Sequence, residues 1–126
     1  MKEQIVTEEY HRRPRSLGGK TIEANTSYVK SKLHKHYHTL FGNKNAMQIC
    51  DWFNKECPFK PDNLKVVCKF INGSRVSKTG ENSSKKPNKI NFAWRSLMKG
   101  LTFSESIDYL NNVWLDPSYH LYLKEV

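Results

Sequence analysis

The chain has 126 residues, 37% of them hydrophobic, a length that suits one domain spanning 1–126 with a modest core. Twenty-one Lys and Arg against twelve Asp and Glu give a net charge of +9, an excess that argues for a polyanionic partner, nucleic acid first. No apolar run approaches the roughly 18 residues of a membrane span, no basic amphipathic helix stands out, and "MKEQIVTEEY" lacks a basic segment followed by an apolar one, so no membrane association and a cytoplasmic location are expected.

In chain order, residues 4–10, "QIVTEEY", predict a short strand. The loop after it, "HRRPRSLGG", carries Pro14, Gly18 and Gly19, all poor in element interiors. The spacing of Val29, Leu33, Tyr37 and Leu40 predicts a helix over 28–41, with Ser27 a candidate cap and Gly42 its end. A second helix is expected over 45–56, with Ala46, Ile49, Phe53 and Cys57 on one stripe and Pro58 and Pro61 stopping it. "LKVVCKFI" at 64–71 reads as a strand ending in the turn Asn72-Gly73.

Residues 74–89, polar and basic without apolar periodicity, read as an exposed loop. A short helix is expected over 90–100. Thr102 and Glu105 fit a capping box for another that reaches about Leu115. "DWFNKECPFKP" at 51–61 and "DYLNNVWLDP" at 108–117 are weakly alike, and the extended segments after them, 64–71 and 119–123, are candidates to pair as strands. Trp52, Trp94 and Trp114 fall among apolar residues and are expected in the core. Cys50, Cys57 and Cys68 form no C-x-x-C pair, so they read as ordinary thiols rather than a zinc site.

The chemistry lies in the histidines. His34 and His38 are spaced i and i+4 on a predicted helix, one turn apart on one face, where two neutral imidazoles can grip one cation. His36 points elsewhere. Counting from His11, the pattern runs H-x-x-P-R-S-x-G-G-x5-N-x8-H-x3-H through Pro14, Arg15, Ser16, Gly18, Gly19, Asn25, His34 and His38.

Over residues 8–41 that pattern resembles the HNH nuclease family and its ββα-metal motif. The resemblance implies an α+β fold with the motif in the N-terminal third, followed over 42–126 by helices with one or two short strands. It implies a metal-dependent endonuclease that hydrolyses phosphodiester bonds in DNA, with RNA a less favoured substrate. His11 matches the general base, and Asn25 the residue that orients this base and braces the loop. His34 and His38 match the metal ligands of a Mg²⁺, Mn²⁺ or Zn²⁺ ion. Arg12, Arg13 and Arg15 flank the base as phosphate contacts, and Lys85, Lys86 and Lys89, near Lys78, form a second basic cluster. A homodimer is one way for a single such site to cut both strands.

The chain departs from the family at Tyr10, where the strand usually supplies Asp or His as a metal ligand. A neutral phenol is a poor ligand for such ions. Glu8, on the same strand face, is a candidate substitute. The departure sustains an alternative, a catalytically degenerate HNH-like module that binds nucleic acid without cutting it. A third option is a regulator that binds protein.

Overall fold

The computed structural model describes residues 7–80 and 86–126. Within them the chain is α+β, with two separate two-stranded antiparallel sheets. The first pairs β1 (Thr7–His11) with β2 (Thr26–Lys30), setting Tyr10 opposite Ser27 and His11 opposite Thr26. The expected strand over 4–10 begins outside the described residues. The loop joining β1 to β2 is pinned by Leu17, which is buried against Ala46, Val76 and Tyr119. It turns on Gly19, where an added Cβ would stand 1.7 Å from the Arg13 carbonyl oxygen.

The first helix, α1 (Ser31–Phe41), starts three residues later than the periodicity suggests, because Tyr28, Val29 and Lys30 pair with β1 instead. Val29 is buried in β2, so its apolar spacing fits both readings, and cross-strand pairing decides between them. Ser27 does not cap the helix; its hydroxyl donates to the Val113 carbonyl at 2.8 Å. Gly42 ends α1 at φ 54°, its N–H returning to the His38 carbonyl.

Next, α2 (Ala46–Lys55) opens on a reciprocal capping box between Asn45 and Gln48. The second sheet pairs β3 (Leu64–Phe70) with β4 (Tyr119–Glu125), as the two extended segments suggested. Between them lies α3 (Pro87–Leu97), which begins inside the stretch read as loop, with Pro87 in its first turn, where its missing N–H costs nothing. Then α4 (Phe103–Tyr109) carries the expected Thr102–Glu105 capping box.

Beyond Tyr109 the helix widens into a π-helical segment, Leu110–Trp114. Carbonyls here and just after turn toward the N-terminal hairpin and meet donors from it. Tyr10 donates to Trp114, Arg12 to Asn111 and Leu115, and Ser27 to Val113. These bonds satisfy acceptors that a helix terminus leaves orphaned. They also lock the hairpin to the far end of the chain.

The core runs between these layers. Trp52, Trp94 and Trp114 are all buried in it, as the sequence suggests, and Trp114 stacks on Tyr37 with ring centroids 4.7 Å apart. Burial raises all three cysteine thiols, Cys68 to about 12, and Cys50 donates to the Val66 carbonyl.

Candidate functional site

The hairpin and α1 enclose an open cleft of about 200 Å³, whose lining includes Tyr10, His11, Arg15, His34 and His38. The pairing of β1 with β2 brings the strand's end to the helix, and α1 presents two histidines one turn apart. Tyr10 and His38, 28 positions apart in sequence, thus share one surface. His36, on the opposite side of α1, does not line it.

The helical pair converges. The Nε2 atoms of His34 and His38 stand 2.8 Å apart. Nδ1 of His34 meets the Glu8 carboxylate at 3.0 Å. Glu8 is held below the usual carboxylate range by hydrogen bonds from Ser31 and then His34, so it is an anion that favours the His34 proton on Nδ1. That tautomer leaves the His34 Nε2 lone pair facing the cleft. Burial and then the neighbouring His34 push His38 below the ordinary imidazole range, against a hydrogen bond with the Gly42 backbone that pulls the other way. The lowered value favours neutral His38, the state in which imidazole ligates a metal.

Tyr10 does not take the strand ligand's part. Its ring is buried, edge-on to both His34 and His38 at centroid distances of 5.5 and 6.3 Å. Its hydroxyl donates to the Trp114 carbonyl at 2.9 Å, directed into the core. Burial and then Tyr37 raise its pKa well above that of a free phenol, so no phenolate is at hand to bind a cation. Glu8 does not replace it as a direct ligand, since its carboxylate is engaged on Nδ1 of His34. Among the described residues no group of three or more His, Cys, Asp or Glu is gathered in a metal-binding cluster.

His11 stands at the end of β1 with Nε2 2.8 Å from the Thr21 hydroxyl. Arg15 donates to that same hydroxyl at 3.0 Å and approaches His11 Nε2 at 3.5 Å. With Arg15 donating into its oxygen, Thr21 is free to turn its own proton onto His11. That leaves Nε2 as an acceptor, the form a general base requires.

Asn25 braces the loop but does not touch the His11 ring. Its side-chain oxygen accepts from the Arg13 N–H at 2.7 Å, and its amide donates to the Arg13 and Lys20 carbonyls. Its own carbonyl accepts from Arg12 N–H. It thereby clamps the residue range that follows His11, and any orientation it gives the base passes through that backbone.

Of the three arginines read as phosphate contacts, only Arg15 points into the cleft. Arg13 is buried, its Nε paired with the Asp116 carboxylate and its other nitrogens donating to the hydroxyl and carbonyl of Ser74. Arg12 is taken up by the Asn111 and Leu115 carbonyls. Both guanidiniums satisfy buried acceptors and bind distant segments together. Lys86 and Lys89 are exposed at the start of α3, away from the cleft, and Lys85 lies outside the described residues.

Sequence reasoning missed Thr21, which follows the Gly pair and carries no periodic signal. It found Glu8 through strand alternation but gave it contact with the metal rather than with His34. No family model, curated protein or solved structure matches the chain.

Proposed function

We propose that this protein is a small metal-dependent endonuclease of the HNH type, with His11 as general base and His34 and His38 as metal ligands. One observation carries the reading: His11, His34 and His38 line one cleft, and Glu8 fixes the proton of His34 on the nitrogen away from it. A carboxylate on the outer nitrogen of a metal-binding histidine is the usual support for such a ligand.

The donor set fits a divalent ion in part. A proton on His38 or a cation shared by both rings satisfies facing Nε2 atoms at 2.8 Å, and the second arrangement makes both rings ligands. Where Tyr10 withholds a donor, water would have to complete the shell. When bound, Mg²⁺, Mn²⁺ or Zn²⁺ supplies charge stabilisation at the scissile phosphate and the leaving oxygen.

The chain's own residues do the rest. Arg15 attracts a phosphate into the cleft. Thr21 holds the His11 Nε2 in its acceptor form, and once water takes the place of that hydroxyl His11 takes a proton from it. The net charge of +9 draws the polyanion to the surface. Incubating the protein with plasmid DNA and each of the three metals, with His11→Ala as the control, tests this reading.

The engaged Tyr10 hydroxyl and the absent three-ligand cluster among the described residues favour one alternative, an HNH-like module that binds nucleic acid without cutting it. That alternative predicts salt-sensitive binding without turnover under every metal.

A further inference from the structure

On the opposite side of α1 from the histidine pair, α1 and α3 leave a groove of about 400 Å³ between them. Lys35, His36 and Thr39 line it from α1, and Asn88, Lys89 and Phe92 from α3. Two of its features call for a ligand of one kind.

First, Phe92 is 65% exposed although α3 has a buried face formed by Ala93, Trp94 and Leu97. It stands edge-on to His36 at 5.6 Å, leaving ring surface open to solvent. Second, the groove's charged lining is cationic only, Lys35 on one wall and Lys89 on the other, with no carboxylate between.

We infer that this groove holds a single-stranded stretch of nucleic acid, one base lying on Phe92 with Lys35 and Lys89 on the flanking phosphates. An aromatic face beside cations is how single strands are gripped without regard to sequence, because every base has a π-face and every linkage a charge. A duplex keeps its bases stacked and offers none to Phe92. A membrane surface is a poorer match, since the groove presents one ring rather than an apolar face. The inference shares with the proposed function a nucleic-acid partner, but needs neither the metal nor His11.

The test is fluorescence anisotropy of a labelled oligothymidine and of a labelled blunt-ended duplex at low salt, without metal. Phe92→Ala is expected to weaken oligothymidine binding roughly 5- to 150-fold, the loss of one stacked base, and to leave duplex binding unchanged. Phe92→Trp is expected to restore it. Lys35→Ala and Lys89→Ala are each expected to lower the salt dependence of single-strand binding by about 0.7 in log–log slope. Phe92 is exposed, so its removal leaves the core intact, which a melting curve verifies. Oligothymidine affinity unchanged in Phe92→Ala overturns the groove assignment and leaves the nuclease reading standing. Equal losses for single strand and duplex overturn it as well, because stacking cannot cause them. Failure of the wild type to bind either probe overturns both readings; a wild type that binds but, once Mg²⁺, Mn²⁺ or Zn²⁺ is added, never cuts DNA overturns the nuclease reading alone.

Discussion

The Tyr10 hydroxyl donates to the Trp114 carbonyl at 2.9 Å, joining residues 104 positions apart. This bond explains how a phenol occupies the strand position where a metal ligand was expected. Tyr10 is a core residue whose ring walls the histidine pair and whose polar end closes the π-helical segment. Tyr10→Phe is therefore expected to cost about 1–3 kcal/mol of stability, the cost of leaving a buried acceptor unsatisfied. Metal affinity should stay at the wild-type value. Urea unfolding together with a metal titration checks both; a sharp loss of affinity with stability intact would instead make the phenol a ligand.

Glu8 is predicted to tune the proposed metal site without touching the ion. Glu8→Gln keeps the shape of the side chain but removes the anion that holds the His34 proton on Nδ1. Metal affinity is expected to fall about 10- to 100-fold, as for other outer-shell carboxylates. Calorimetric titration with Zn²⁺ or Mn²⁺ measures it, and unaltered affinity would remove Glu8 from the site.

The Arg13–Asp116 pair is predicted to be a structural staple rather than a phosphate contact, since both side chains are about nine-tenths buried or more. Arg13→Ala or Asp116→Ala alone should cost about 3–5 kcal/mol, because each leaves a buried charge without its partner. Nucleic-acid affinity at a temperature where the variant is folded should barely change. A large loss of affinity with normal stability would return Arg13 to the binding surface.

Stability should fall in alkali. Burial raises Cys68 from 9.0 to about 12 and Tyr37 from 10.0 to about 12. In the window between the unfolded and folded values the unfolded chain releases protons that the folded chain keeps. Rising pH therefore favours unfolding there, while below pH 9 the contribution is complete. Urea midpoints at pH 8 and pH 10.5 should differ in that direction; equal midpoints would mean these groups titrate alike in both states.

Much of this architecture is legible in the sequence where local signals and burial agree. Capping residues Thr102 and Glu105 mark the start of α4, and a run rich in β-branched residues ending at Asn72-Gly73 marks β3. The i, i+4 spacing of His34 and His38 is legible because it depends only on helix geometry. The boundary between β2 and α1 is not, since Tyr28 and Val29 suit either element and pairing with β1 decides. The fates of Arg12 and Arg13 are equally hidden. Their partners, Asn111, Leu115, Asp116 and Ser74, lie 61 or more residues away. A charged side chain in a basic loop gives no local sign that a distant carboxylate or carbonyl will claim it. Thr21 escapes notice for a similar reason, because its hydroxyl acquires meaning only when the loop folds back on His11.

The most direct measurement of the central claim is the rate of nicking of supercoiled plasmid in Mg²⁺, Mn²⁺ or Zn²⁺ by the wild type and by His11→Ala. The account predicts metal-dependent nicking that falls about 10²- to 10⁴-fold in His11→Ala, the usual contribution of a general base, with the variant folded and still binding metal. No nicking by the wild type with any of the three ions, or an undiminished rate in His11→Ala, would contradict it.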